Sequence, residues 1–252
     1  MHRISIVTVA YNSADTIRDT LDSVRQQTYP YVEHIVVDGA STDGTPDIVR
    51  TYDHVARLIS EPDTGAYDAM NKGIALATGD IVGLLHADDV YASPDALRWV
   101  AEQLQASGAD ALYADLQYVR RQNPKRVVRH WRSGAFSPER FRYGWMPPHP
   151  TFFTYRKHYE ALGGYYTRLR ISADYELMLR YLYKHRLLAC YLPRVLVRMR
   201  TGGMSNASIR QRWRANREDG LAWAINGLRP WPITLWLKPL RKIPQFWPCL
   251  LP

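Results

Sequence analysis

Residues 60–91 read SEPDTGAYDAMNKGIALATGDIVGLLHADDVY. The segment holds a turn-rich loop, an apolar stripe at helical spacing (Tyr67, Met70, Ile74, Ala77), a strand-like run DIVGLL at 80–85, and then two adjacent carboxylates, Asp88 and Asp89. A helical stripe leading straight into a continuous apolar strand predicts an α/β unit whose strand is buried on both faces. Two like charges at the end of such a strand repel each other and lose hydration, so the pattern calls for a positive charge in the same site. A divalent metal carrying a diphosphate meets that need.

Outward from this segment the unit repeats. ISIVTV at 4–9 is a strand running into Ala10-Tyr11-Asn12-Ser13. A helix follows, with Ile17, Leu21 and Val24 at helical spacing and Ser13 or Asp15 as cap. HIVVD at 34–38 is a second strand, GASTDGT a loop, and TPDIVRTY a helix start with Pro46 in its first turn. RLISEPD at 57–63 supplies a third strand and loop. Strands alternating with helices predict a mostly parallel sheet joined by right-handed crossovers, in which ligands bind outside the carboxyl ends of the strands. Asp38, Asp63, Asp88 and Asp89 all stand at or just after such ends.

Beyond a helix at about 94–106 the pattern changes. ADALYADLQYV and KRVVRHW read as longer, partly antiparallel strands. ADYELMLRYLYKHRL reads as an amphipathic helix with Leu177, Leu179, Leu182 and Leu188 available for packing.

The chain as a whole is of ordinary globular composition, with 252 residues, 46% hydrophobic and 23% charged. Its net charge of +9 favours anionic partners. The basic excess lies mainly at the C-terminus, where Arg210 to Lys242 contains eight Lys or Arg against Glu218 and Asp219, and five of the eight tryptophans lie beyond residue 210. Cys190 and Cys249 stand far apart without a CxxC, which argues against a disulfide framework or zinc site and fits a reducing cytoplasm. The N-terminal apolar run is too short for a secretory signal, and no stretch approaches the roughly 20 apolar residues of a membrane span.

The four segments AYNS, VDGASTDGT, EPDTGAYDAMNKG and LLHADDVY, in this order, resemble family 2 glycosyltransferases of the GT-A fold. The resemblance covers about residues 3 to 200. It implies a Rossmann-like α/β domain over 1–207, with a nucleotide-sugar-binding half (1–110) and an acceptor half (111–207), and it leaves 208–252 as a helical, basic and aromatic extension. It further implies an inverting transferase that moves a sugar from a nucleotide-diphospho-sugar to a saccharide or polyprenyl-linked saccharide, in cell-surface polysaccharide or glycolipid synthesis.

By that resemblance the acidic motif holds Mg²⁺ or Mn²⁺, with Asp89 as first ligand and Asp88 as second, Asp88 also touching the donor. Hard cations take carboxylate oxygens, which the pair can supply. Relatives often have an acid where this chain has His86; the histidine either orients the nucleotide or satisfies a buried hydrogen bond. Asp38 would select the base, with Ala10, Tyr11 and Asn12 lining the same pocket and Asp63 beside it. Asn71 and Lys72 would reach the nucleotide or its phosphates, and His149 in PPHPTFF either binds near the donor phosphates or is structural. In ISADYELMLR, Asp174 is the expected base for the acceptor hydroxyl, with Glu176 as the alternative.

Two other readings explain less. A sugar-1-phosphate nucleotidyltransferase would want a glycine-rich basic loop after the first strand, which AYNSADTI lacks. A nucleic-acid-binding protein would not aim carboxylates at a phosphate backbone, so no nucleic acid is expected. The tail has the composition of a segment lying on an anionic membrane surface, and equally of a helix packing its tryptophans on the domain. The first reading makes the chain a peripheral protein at the cytoplasmic face of a membrane.

Overall fold

The computed structural model describes residues 1–202, 209–240 and 245. In the front half, strands β1 (Ile4–Ala10), β2 (Val32–Asp38), β3 (Val55–Ser60) and β4 (Ile81–His86) alternate with helices α1 (Ile17–Arg25), α2 (Thr45–Arg50) and α3 (Ala66–Leu76). After the short β5 (Val90–Tyr91) and α4 (Ala96–Ser107) come the hairpin β6 (Ala111–Arg120) and β7 (Asn123–Trp131), then β8 (Phe153–Tyr155) and α5 (Arg156–Leu162). The chain continues through α6 (Ala173–Met178), β9 (Ala189–Arg200), α7 (Ile209–Ile225) and α8 (Thr234–Leu240).

One sheet carries the order β3-β2-β1-β4-β8-β6-β9-β5, with β7 flanking β6. β1 to β4 pair in parallel, β8 is antiparallel to both β4 and β6, and β6 runs parallel to β9. The strand order reverses at β1, with β2 on one edge and β4 on the other, so a crevice opens at their carboxyl ends.

The apolar runs are continuous because both faces of the sheet are covered. Val7 and Val9 of β1 and Val82 and Leu84 of β4 pack with Met70 and Ile74 of α3, while Ile4, Ile6, Ile81 and Leu85 pack on the other face with Leu97, Val100 and Leu104 of α4. α7 joins the first of these cores through the fully buried Trp223, whose indole N–H donates to Tyr175 Oη at 2.9 Å. After residue 207 the described residues thus hold two helices, α7 and α8, and the first shares the main core.

The expected helix over ADYELMLRYLYKHRL divides. α6 ends at Met178, a π-helical stretch runs from Leu179 to Lys184, and Arg186 adopts φ 56° and turns the chain out. Leu177, Leu179 and Leu182 are buried as expected, whereas Leu188 is 65% exposed, because it lies in the connection to β9 where its backbone pairs with Asp110 and Ala111.

Gly73 sets how closely α3 lies on β1, since a Cβ there would sit 2.2 Å from Val7 Cγ1. Gly73→Ala should therefore destabilise the protein by about 1–3 kcal/mol in urea unfolding, despite alanine's advantage of about 1 kcal/mol in helices. Val7→Ala in the same chain should recover part of that loss. A more stable Gly73→Ala single variant would contradict this packing.

Candidate active site

The loops leaving β1, β2 and β3 form one wall of the crevice. Asn12, in the left-handed region at φ 46°, receives Thr42 N–H on Oδ1 at 3.0 Å and gives its own N–H to Ser41 Oγ at 2.7 Å. This fastens the loop after β1 to the loop after β2. Asp38 is fully buried and its carboxylate is consumed by that wall: it accepts from Ser41 N–H at 2.9 Å, from Ser60 Oγ–H at 2.7 Å, and from the Ser41 hydroxyl. Ala10 is buried beside it, its carbonyl accepting Gly39 N–H at 2.9 Å.

In front of this layer Tyr11 stands 66% exposed. A Cβ on Gly39 would lie 2.6 Å from Asp63 Oδ2 and 3.3 Å from a Tyr11 ring carbon, so the glycine is the floor between an open aromatic face and a carboxylate. Asp63 is fixed through Oδ1, which accepts Gly65 N–H at 2.8 Å. An aromatic face beside a carboxylate over bare backbone suits a planar base and a ribose.

Asn71 and Lys72 are both engaged by protein groups. The Asn71 amide donates to Tyr165 C=O and accepts Tyr165 N–H, both at 2.8 Å. Lys72 Nζ lies 2.7 Å from the Glu61 carboxylate and donates to Pro62 C=O at 3.0 Å, so it pins the loop carrying Asp63.

The acidic loop after β4 is held carbonyl by carbonyl. Thr16 and Thr20 of α1 donate to the carbonyls of Ala87 and Asp89 at 2.9 and 2.8 Å, and the buried Arg200 guanidinium donates to Asp88 C=O at 2.8 Å. The same guanidinium reaches Arg121 C=O at 3.1 Å and the Asp19 carboxylate.

Held in this way, the two acids diverge. Asp89 is 0% exposed and neither carboxylate oxygen has a hydrogen-bond partner. Burial, and then the neighbouring Asp88 charge, push its pKa well above the aspartate range, with Arg200 pulling the other way. The Asp88 side chain keeps 30% exposure, with Arg121 Nη1 3.7 Å from Oδ2. The carboxylate with an accessible edge is thus Asp88, and Asp89 is enclosed beside it.

A divalent cation fits this arrangement when it arrives with phosphate oxygens. Among the described residues no group of three His, Cys, Asp or Glu side chains converges to form a protein cage, but Asp88 offers one accessible carboxylate already facing a positive group. Cations of the Mg²⁺ type are held by one or two carboxylates plus substrate phosphates and water.

His86 ends β4, enclosed enough that burial lowers its pKa, while the charges of Asp88 and of Asp174 across the crevice raise it. Its ring lies 5.9 Å from that of His149, which burial and His86 together lower to about 3, so His149 is neutral. His149 Nε2 lies 2.7 Å from Tyr165 Oη, and Tyr165 stacks on Tyr67 at 5.5 Å. The Tyr67 hydroxyl faces both Ile171 C=O at 2.7 Å and Asp174 Oδ1 at 3.2 Å. Neither tyrosine was legible as a site residue: Tyr67 reads as part of a core stripe, and Tyr165 has no local signal.

Asp174 is half-buried at the start of α6. Oδ1 accepts Tyr175 N–H at 2.8 Å as well as facing Tyr67, which leaves Oδ2 without a hydrogen bond among the described residues. Burial raises its pKa, opposed by Lys238, Tyr175 N–H, Tyr67 and His86. Glu176, by contrast, is locked by both oxygens to Arg180 at 2.9 Å and by Asn226 at 3.0 Å. Behind Asp174, Glu218 of α7 accepts the N–H groups of Ile171 and Ser172 at 2.8 and 3.1 Å.

The family model described as "Glycosyl transferase family 2" matches residues 5–170. A Mycobacterium tuberculosis protein, "Uncharacterized glycosyltransferase Rv1514c", is 35% identical over 192 residues, covering 70% of this chain and 68% of its own length. A second from that organism, "PGL/p-HBAD biosynthesis glycosyltransferase Rv2957", is 32% identical over 238 residues and 90% of each chain. Among solved structures, the Staphylococcus aureus TarS fragment 1–349 in complex with UDP superimposes with TM-score 0.69 at 20% identity, covering 87% of this chain and 65% of that one. The Pyrobaculum calidifontis mannosyltransferase PcManGT, in complex with GDP-Man and Mn²⁺, gives TM-score 0.65 at 25% identity over 94% of this chain and 68% of that one.

Asn71→Ala strands a backbone donor and acceptor of Tyr165, and should cost about 1–3 kcal/mol in chemical unfolding. It should leave the rise in melting temperature on adding nucleoside diphosphate unchanged. Unchanged stability with lost nucleotide response would return Asn71 to the nucleotide.

Proposed function

The chain belongs to glycosyl transferase family 2, and on that premise we propose that it is an inverting, metal-dependent glycosyltransferase, using a nucleotide-diphospho-sugar to extend a saccharide or lipid-linked saccharide. The observation that carries this reading is a pair of carboxylates with a free edge, Asp88 just after β4 with its side chain 30% exposed and Asp174 at the start of α6 with Oδ1 held by Tyr67 and Tyr175 N–H. An inverting transfer needs two such stations, one for the departing diphosphate and one for the incoming hydroxyl.

The base and ribose rest between Tyr11 and Asp63 over Gly39. Asp88 is the residue that would hold the cation, and a Mg²⁺ or Mn²⁺ ion bound there supplies charge neutralisation to the diphosphate as it leaves. The GDP-Man and Mn²⁺ bound together in the Pyrobaculum mannosyltransferase support a metal-assisted donor site. Asp174 accepts the acceptor hydroxyl proton on Oδ2 while the hydroxyl oxygen attacks the anomeric carbon from the face opposite the diphosphate. The carbon–oxygen bond to the diphosphate breaks with its electron pair passing to the phosphate oxygen.

Tyr67 and Tyr175 N–H hold Asp174 Oδ1, so the free oxygen has a fixed direction. Because burial raises its pKa, Asp174 is a stronger base than an exposed aspartate. The base must be ionised, so activity is lost as pH falls through that raised pKa.

Surface polysaccharide or glycolipid synthesis is the setting that the relatives' names support. Among the described residues no helix is long and apolar enough to cross a membrane. On the outer faces of α7 and α8, Trp213 and Trp236 are 73% and 74% exposed, and Arg214, Arg217 and Arg229 are exposed nearby in sequence. This composition supports peripheral attachment to an anionic leaflet at the cytoplasmic face of a membrane.

A panel of UDP-, GDP- and dTDP-sugars should contain one that raises the melting temperature in the presence of Mn²⁺, and Asp88→Asn should abolish the Mn²⁺-dependent part. Asp174→Asn should retain that shift and lose about 10²–10⁴-fold in transfer. The acid limb of wild-type transfer should lie above the ordinary aspartate range. Full transfer by Asp174→Asn, or an Mn²⁺ response that survives Asp88→Asn, would overturn the corresponding role. In vesicle co-sedimentation, the Trp213→Ala/Trp236→Ala double variant should bind phosphatidylglycerol vesicles about tenfold or more weakly than wild type. Equal binding by the two proteins would remove the membrane surface from the account.

A further inference from the structure

On the far side of Asp88 from the base wall lies a cavity of about 350 Å³, lined by Arg120, Arg121, Gln122, Asn123, Arg126 and Thr201. It forms where the β6–β7 hairpin turns and β9 ends, and these strands lie beyond β4 from β1, β2 and β3. Three arginines thus line one space. Among the described residues Arg120 and Arg126 make no ion pair, and the partner of Arg121 is Asp88, at 3.7 Å. Cations gathered without counter-ions repel one another, and an anion received among them relieves that repulsion through charge-assisted, often bidentate hydrogen bonds.

The cavity is also joined to the chemistry through backbone. The Arg200 guanidinium donates both to Arg121 C=O and to Asp88 C=O, at 3.1 and 2.8 Å, and Thr201 N–H donates to Val119 C=O at 2.9 Å. The arginine wall is therefore fixed relative to the acidic loop. Asp88 and Arg121 neutralise each other when the crevice holds no donor. A cation held by Asp88 would free Arg121 for the cavity.

We propose that this cavity binds a phosphoryl group carried by the acceptor, so that the substrate class is a phosphorylated or lipid-phosphate-linked saccharide. The inference rests on the reading of Asp88 as the donor's cation site, and it gives the acceptor a second point of attachment beside the attacking hydroxyl. Two sources share this chemistry, a sugar phosphate and a prenyl phosphate.

The test is calorimetric titration of the full chain, loaded with Mn²⁺ and its nucleoside diphosphate, with inorganic phosphate, glucose 1-phosphate and geranyl phosphate. The expected result is binding of at least one of these probes, weakened about tenfold or more in Arg120→Gln/Arg126→Gln. Tighter glucose 1-phosphate identifies a sugar phosphate, and tighter geranyl phosphate a lipid phosphate. The Mn²⁺-dependent nucleotide stabilisation should be the same in variant and wild type, which separates loss of this site from failure of the donor reading. Should the double variant fold poorly, Arg126→Gln alone, at an exposed hairpin position, carries the same comparison. A wild type that binds none of the probes, or a variant that binds them unchanged, overturns the proposal.

Discussion

Because β1 is paired in parallel on both edges, by β2 and by β4, the loops leaving those strands have no choice but to share one crevice. The constraint is topological, but its strength comes from packing. Valines and isoleucines of β1 and β4 point alternately into two cores, and a slip of one residue in either strand would send each set to the wrong face. Everything placed at the crevice inherits that register. The clamp of Thr16, Thr20 and Arg200 on successive carbonyls then fixes the acidic loop, so the position of Asp88 follows from backbone hydrogen bonds made by groups distant in sequence.

Electrostatics divides the labour among the acids that meet there. Asp38 and Glu176 are fully satisfied by protein donors, and their charges are spent on architecture. Asp89 is enclosed without a donor, so its environment favours the neutral form. Asp63, Asp88 and Asp174 keep an accessible edge on the crevice, Asp88 facing a guanidinium and the other two each with one oxygen tied down. Burial is what separates them from their neighbours: a carboxylate already paired, or shut away, has little to offer a substrate.

The sequence carried the parallel front half because period and length suffice there: apolar runs ending in acids can be read locally. It also carried the tail's composition, which the structure divides between a buried Trp223 and the exposed Trp213 and Trp236. What was not legible depends on contacts between distant segments. Asn71 looks free on its helix, yet its amide closes on Tyr165, which lies 94 residues away in sequence. Which of Asp88 and Asp89 the loop buries is likewise not written in two adjacent identical residues. The insertion of β8 between β4 and β6, and the turn at Arg186 that expels Leu188, break patterns that continue smoothly along the chain.

The central claim is that Asp88, and not the enclosed Asp89, carries the cation. It is tested most directly by anomalous diffraction at the manganese edge, on crystals grown with Mn²⁺ and the nucleoside diphosphate that stabilises the protein most. The account predicts a single strong peak about 2.1–2.3 Å from an Asp88 carboxylate oxygen, with phosphate oxygens completing the shell. A peak bound to Asp89, or a well-ordered diphosphate in the crevice with no manganese beside Asp88, would contradict it.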